Sequence, residues 1–251
     1  MSRYDFAAPR LYVNPPLAQA AQIALDQAQV NYVRNVLRLS KGARILVFNG
    51  RDGEWETRVA TSNRKNVTLA VDKLTRSQEP RPDLHYLFAP LKQARQDYMV
   101  EKAVEMGAGL LRPVLTRRTQ TSRINRERMH AHAIVAAEQC GILSIPEIAP
   151  AIRLDALLGA WDNDRLLVFC DEDAPASDPL AALRSRADAK GPPALAVLIG
   201  PEGGFDDRER EVLLGLPPVL RLPLGPRILR ADTAAVAALA LVQAALGDWR
   251  G

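Results

Sequence analysis

Two short segments of this chain are apolar at nearly every position, and they limit the folds that it can adopt. They are LLVFC at residues 166–170 and LAVLI at residues 195–199. A strand with one face in water alternates apolar and polar residues, whereas a strand that helices cover on both faces does not. From residue 84 onward, strand patterns alternate with helix patterns. This alternation predicts an α/β domain built on a parallel sheet.

The chain before residue 77 has a different pattern. The segments RILVFNG (44–50), GEWETRVA (53–60) and NVTLAVDKL (66–74) predict β-strands, and the pair Asn49-Gly50 predicts a hairpin turn. Residues 26–42 predict a helix that Asp26 caps. By helical spacing, its core positions are Val30, Val33, Val36 and Leu37.

A polar segment with two prolines, SQEPRPD, separates the two patterns. We therefore predict a small β domain at residues 1–76, a linker at 77–83 and an α/β domain at 84–251. The length of 251 residues fits one large domain or two small ones.

Charge is spread unevenly along the chain. Residues 1–130 carry 22 Lys and Arg against 12 Asp and Glu, whereas residues 131–251 carry 11 against 17. A basic, arginine-rich half suits an anionic polymer such as RNA, since the arginine fork donates two parallel hydrogen bonds to phosphate. A solvated surface of uneven composition accounts for the charge alone equally well.

Cysteine usage and hydropathy indicate a cytoplasmic, reduced protein. Cys140 and Cys170 give neither a disulfide framework nor the spacing of metal ligands. No apolar run is long enough to span a bilayer, and the N-terminus lacks the apolar core of a signal peptide. We expect no membrane and no metal among its partners.

Three loops leave the apolar strands where a ligand of a parallel sheet would bind, beyond the carboxyl ends. They are CDEDAP (170–175), IGPEGGF (199–205) and PLGPRILRADTA (223–234). The paired glycines of the second loop let backbone approach a ligand, but no Walker lysine accompanies them. A flat, weakly charged ligand held by backbone groups fits this loop, and so does a tight turn without a ligand.

The other two loops carry charge. Arg227 and Arg230 stand three residues apart, and they share a face if the helix has begun by then. They could hold an RNA backbone or polarise a carbonyl, or they could be solvated beside a capped helix. The acidic loop 170–175 is more typical of an exposed turn than of a magnesium site.

Together, IGPEGGF and LGPRILRADTA resemble the signature of the ribosomal RNA small-subunit methyltransferase E family of SPOUT-type enzymes. Four further segments resemble the family in the same order, so that the resemblance covers nearly the whole chain. They are VRNVLRLSKG (33–42), VFNGRDGEW (47–55), LKQARQDYMVEKAVEMGAGLLRPVLTRRTQ (91–120) and AAEQCGILSIPEI (136–148).

The resemblance implies a PUA-like β-barrel, a C-terminal α/β domain with a deep trefoil knot, and a homodimer. It implies S-adenosyl-L-methionine as cofactor and methylation of N3 of one uridine in 16S ribosomal RNA, as free RNA or in the small ribosomal subunit. The implied cofactor residues are Phe169, Cys170, Asp171, Ile199, Gly200, Pro201, Gly203, Gly204, Leu224, Gly225, Ile228, Leu229 and Thr233.

Three residues are candidates for the chemistry, because N3 of uridine must lose a proton before it is methylated. Arg230, with Arg227 next, would stabilise the resulting anion. Glu202 is a candidate base, and bracing of its loop is the alternative role. Candidate phosphate contacts, which orient RNA more than they specify its sequence, are Arg34, Arg38, Arg117, Arg118 and Arg123.

Three positions depart from the family pattern. Asn31 stands where histidine is frequent, Ile142 where arginine is common, and Asp232 where glutamate is usual. Two other functions stay open on the sequence. One is a SPOUT RNA methyltransferase with a different target atom, and the other is a non-catalytic RNA-binding assembly factor.

Overall fold

A computed structural model describes residues 5, 7–121, 123–175, 177–187 and 194–250. The contacts between residues divide the chain into two compact units. The first unit lies within residues 1–80 and 137–145, and the second lies within residues 81–136 and 146–251. The segment 137–145 therefore belongs with the N-terminal part of the chain, which the linker pattern at 77–83 gives no reason to expect. Among the described residues, no helix combines the length and apolar character needed to cross a bilayer.

The first unit holds a five-stranded sheet in the order β1-β3-β4-β5-β2, in which β1 pairs parallel with β3 and the other pairs are antiparallel. Its strands are β1 (Arg10–Tyr12), β2 (Gln22–Ala24), β3 (Arg44–Phe48), β4 (Glu54–Ser62) and β5 (Val67–Arg76). The predicted hairpin between β3 and β4 is confirmed. Asn49 Oδ1 accepts hydrogen bonds from the backbone N–H groups of Arg51 and Asp52, which shapes the turn.

The predicted helix at 26–42 is shorter than expected. Helix α1 covers Gln27–Asn31 and continues as a π-helical turn over Tyr32–Val36. Asp26 does cap it, in a capping box with Gln29. The prediction that Val36 lies in the core is wrong, since it is 62% exposed. A π turn contains an extra residue, which breaks the helical spacing on which the prediction rested.

The second unit holds a parallel sheet in the order β12-β10-β11-β6-β7-β8, and β9 also pairs with β7. Its strands are β6 (Leu84–Phe88), β7 (Leu110–Leu115), β8 (Glu147–Ile148), β9 (Ile152–Arg153), β10 (Leu166–Cys170), β11 (Leu195–Ile199) and β12 (Val219–Leu222). All of β11 and nearly all of β10 are buried, as their apolar sequences predict. The predicted α/β class is confirmed.

Helices accompany the strands of the second unit. They are α2 (Gln93–Glu105), α3 (Arg126–Cys140), α4 (Leu154–Gly159), α5 (Pro179–Arg184), α6 (Asp207–Leu214) and α7 (Ala231–Ala245). The last residues of α3 belong to the first unit. The sequence patterns did not predict α4, β8 or β9, which are short. The predicted helix at 179–191 runs in part outside the described residues, and the trefoil knot stays a prediction.

Candidate active site

A cavity of about 390 Å³ opens at the carboxyl ends of three adjacent strands, β12, β10 and β11. The loops that follow these strands form its walls, and they are the three loops that the sequence singles out. Its volume lies in the range typical of small-molecule sites. The cavity is lined by Arg95, Phe169–Asp173, Ile199–Glu202, Gly204, Phe205, Arg210, Leu222–Ala231 and Ala234.

Most residues that the resemblance implies for the cofactor line this cavity. Gly203 and Thr233 do not, and both are exposed. All three candidates for the chemistry do line it: Glu202, Arg227 and Arg230. Arg95, Glu172, Asp173, Phe205 and Arg210 also line the cavity without having been predicted. Of these, Arg95 lies in a segment that resembles the family, but its sequence context gave no indication that it reaches the site.

The glycine loop after β11 is tightly packed. A Cβ atom at Gly200 would stand 2.5 Å from the ring of Phe205, which itself packs edge-on against Phe169. Gly204 has a φ of +68°, and a Cβ there would lie 2.4 Å from Glu172 Oε1. These glycines are therefore needed for the loop's own conformation, because the ring of Phe205 leaves no room at Gly200 and the positive φ of Gly204 disfavours any other residue. The Phe205 side chain closes one wall of the cavity.

The loop after β10 is exposed at Glu172 and Asp173, as its acidic sequence suggested, but its first carboxylate, Asp171, is buried. The Asp171 side chain is only 3% exposed and accepts hydrogen bonds from two arginines. Arg221 Nε lies 2.8 Å and Arg210 Nη2 lies 3.0 Å from Asp171 Oδ2, and the Asp173 N–H donates to Oδ1 at 3.1 Å. A buried carboxylate with this set of donors fixes the loop rather than binding a metal. Among the described residues, no cluster of potential metal ligands occurs.

Burial also affects the thiol that begins this loop. Loss of solvent around Cys170, and then the negative charge of Asp171, raise the pKa of the thiol well above its usual range. A protonated, half-buried thiol is a poor nucleophile. Cys170 therefore contributes an apolar wall to the cavity.

The loop after β12 holds the two predicted arginines, but not on a helix. Helix α7 begins at Ala231 with Arg230 as its N-cap residue, so the helix has not begun at Arg227 and the two arginines do not share a helix face. Both arginines are exposed and line the cavity. Within the described part of the chain, neither forms an ion pair. They are thus cations available to an anionic ligand.

The loop after β7 packs against the glycine loop. Arg118 Nη1 donates to the Gly203 carbonyl at 2.7 Å, and Arg117 Nε lies 3.1 Å from Asp206 Oδ2. Arg123 is exposed, and in the first unit Arg34 is half-buried and Arg38 exposed. Arg38 has a φ of +54°, a left-handed conformation that is uncommon for a residue other than glycine.

Comparisons with known proteins agree with this geometry. A family model described as an RNA methyltransferase domain matches residues 77–243, and one described as an RNA methyltransferase PUA domain matches residues 25–72. A ribosomal RNA small subunit methyltransferase E from Rickettsia conorii is 29% identical over 93% of this chain and 94% of its own length. A protein of the same name from Synechocystis is also 29% identical, over 94% of this chain and 78% of its own length.

Solved structures are similar over the whole fold. A putative methyltransferase from Legionella pneumophila, determined with bound S-adenosylmethionine, is 28% identical with a TM-score of 0.82, over 95% of this chain and 98% of its own. A ribosomal RNA small subunit methyltransferase E from Neisseria gonorrhoeae, at 24% identity and a TM-score of 0.82, shares the fold over 94% of this chain and 97% of its own. The chain therefore belongs to the RNA methyltransferase family.

Proposed function

We propose that this chain is an S-adenosylmethionine-dependent methyltransferase that modifies N3 of a uridine in 16S ribosomal RNA. The observation that carries the proposal is the cavity between the three strand-end loops, with two arginines at its edge that form no ion pair with any described residue. Family membership adds support, as does the bound cofactor in the Legionella structure. The target atom rests on the resemblance of the sequence to the family.

The residues of the cavity suit this cofactor. Phe169, Leu222, Leu224 and Leu229 supply apolar walls for an adenosine. Gly225 has a φ of +89°, and a Cβ built on it would meet nothing within 4 Å, so its backbone is open to a ligand. Bound S-adenosylmethionine would supply an electrophilic sulfonium methyl group. The chain's part is then to orient the uridine against this site and to exclude water.

Arg230 and Arg227 would act on the uridine. Loss of the N3 proton leaves negative charge that is shared with O2 and O4 of the base. A guanidinium without a carboxylate partner can stabilise this charge, whereas one that is already paired is a weaker choice. Among the described residues, both arginines are unpaired. Arg230 is the preferred stabiliser because its backbone is fixed as the N-cap of α7.

RNA would be positioned by arginines outside the cavity, which gives the basic half of the sequence its role. The candidates are Arg34, Arg38, Arg117, Arg118 and Arg123. In this proposal residues 1–76 form the RNA-binding domain and residues 84–251 the catalytic domain. A homodimer, which the resemblance to the family implies, and a cytoplasmic location, which the sequence indicates, complete it.

Calorimetry of the purified protein with S-adenosylmethionine, and with ATP in parallel, tests the proposal. Saturable binding of S-adenosylmethionine alone is expected, followed by methylation of small-subunit RNA at N3 of uridine. Binding of ATP alone, or of neither compound by folded protein, would argue against a methyltransferase. Methylation at another atom would retain the enzyme class and refute the assigned target.

A further inference from the structure

Arg95 stands on the rim of the cavity and belongs to neither the glycine loop nor the C-terminal loop. It lies in the first turn of α2, a regular helix whose residues Met99, Val100 and Ala103 are buried. Its backbone is therefore fixed by the core of the second unit. Its side chain reaches the cavity from this fixed point.

Two carboxylates from different elements of the second unit face this one guanidinium. Arg95 Nη1 forms a close ion pair with Glu202 Oε1, in the glycine loop. Arg95 Nε lies 4.0 Å from Asp232 Oδ2, in the first turn of α7. Arg95 thereby connects α2 to the glycine loop and to the start of α7.

The glycine loop offers few other side chains by which it could be held. Between Ile199 and Phe205 it contains three glycines and one proline, so Glu202 is its one charged side chain. The Glu202 side chain is 43% exposed, and its carboxylate is directed to Arg95 rather than left free. The Arg118 side chain also holds this loop, because its Nη1 donates a hydrogen bond to the Gly203 carbonyl.

We propose that Arg95 is a positioning residue that sets the distance between the glycine loop and the start of α7, and that Glu202 is its anchor rather than the proton acceptor. The Glu202 carboxylate already has the Arg95 guanidinium as its partner, and this contact ties the glycine loop to α2. This inference rests on the proposed function, since it assigns roles in the same cavity. It decides between the two roles that the sequence left open for Glu202.

The inference also assigns a structural role to Asp232, at the position where the family pattern has glutamate. A separation of 4.0 Å is the limit of an ion pair, and one more methylene would extend the carboxylate toward Arg95. In this chain the contact of Arg95 with Asp232 in α7 is thus weaker than its ion pair with Glu202. Asp232→Glu is expected to strengthen it.

The test measures S-adenosylmethionine affinity by calorimetry for Arg95→Met, Glu202→Gln and the double variant. Each single variant should weaken affinity about threefold to fivefold, the range of a partly exposed ion pair. The double variant should be no weaker than either single variant, because both remove the same interaction. Asp232→Glu should bind the cofactor about twofold more tightly.

Matched controls come from a pair outside the cavity. Arg153 and Asp155 form an exposed ion pair in the same unit, with Arg153 Nη2 3.0 Å from Asp155 Oδ2. Arg153→Met and Asp155→Asn make the same charge changes and should leave cofactor affinity and turnover unchanged. A thermal melt of every variant separates a loss of affinity from a loss of folded protein.

Turnover at saturating cofactor separates the two roles of Glu202. As an anchor, its replacement by glutamine should raise the KM for the cofactor and lower kcat only slightly. As the base, the same change should lower kcat about a hundredfold or more while affinity is retained, and this would overturn the inference. Full additivity of the two variants, or an unchanged affinity for Arg95→Met, would also overturn it. If the wild-type protein did not bind S-adenosylmethionine, the proposed function would fail together with the inference.

Discussion

Replacement of Asp171 by asparagine should destabilise the second unit more than any other change of a single charge at the cavity. The carboxylate is 3% exposed and accepts hydrogen bonds from Arg210, Arg221 and the Asp173 backbone. Asparagine keeps the shape and one acceptor oxygen. Its NH2 group, which is a donor, would replace the oxygen that accepts from the two guanidinium groups. The two arginines would then lack their buried counter-charge.

The size of the effect follows from burial. Removing one partner of a fully buried pair costs about 3–5 kcal/mol, because the other charge is left unpaired. Arg210 and Arg221 are partly exposed and can be solvated by water, so the lower end of that range applies. We expect a loss of about 3 kcal/mol, which lowers the melting temperature by about 6–12 °C in a protein of this size.

Thermal unfolding of cofactor-free Asp171→Asn, with Asp173→Asn as control, measures this effect. The Asp173 carboxylate pairs with Arg210 but is largely exposed, so its replacement should cost less than about 1 kcal/mol. Asp171→Asn should also weaken cofactor binding, because Asp171 and Arg210 line the cavity. Equal melting temperatures for the two variants would refute the reasoning that burial makes Asp171 the structural carboxylate.

Three further predictions concern the loops and the first unit. Arg230→Ala should retain cofactor binding and lose about a hundredfold or more in turnover, measured by methyl transfer to small-subunit RNA; unchanged turnover would remove its role. Gly204→Val should destabilise the loop and abolish measurable cofactor binding in calorimetry, because of its φ of +68° and the contact with Glu172; normal affinity would place the cofactor elsewhere. Burial raises the pKa of Glu138, against a backbone hydrogen bond from Tyr12 that lowers it, so the folded state binds the proton more tightly than the unfolded state. Stability should therefore fall as pH rises from the usual carboxyl pKa through the raised one, and Glu138→Gln should flatten this dependence in pH-resolved melts; an unchanged slope would contradict it.

Long, regular patterns predicted much of the second unit. The apolar sequences of β10 and β11 indicated strands buried on both faces, and both are buried. The capping box at Asp206 and Glu209 marked the start of α6 correctly. These features are local, since each depends on residues within one or two turns. The predicted strands also placed three loops together, because the carboxyl ends of parallel strands lie at the same edge of a sheet.

Features that depend on distant residues could not be predicted. The burial of Asp171 depends on Arg210 and Arg221, which lie about 40 and 50 positions later in the chain. An acidic turn has the same local sequence whether or not such partners reach it. The contact between Arg95 and Glu202 likewise joins α2 to a loop 107 positions away. The π turn after α1 escaped prediction because the apolar residues around it are spaced along the sequence as in an ordinary α-helix.

The return of residues 137–145 to the first unit has a consequence for how the protein is made. Glu138 accepts a hydrogen bond from Tyr12 N–H at 2.8 Å, and Arg76 donates to the Gly141 carbonyl at 2.8 Å. Leu143 is buried as well. The N-terminal part therefore cannot complete its contacts until the ribosome has synthesised well over half of the chain. A fragment cut at the linker would lack these contacts, so expression of the first 76 residues alone should yield a less stable domain than the full chain contains.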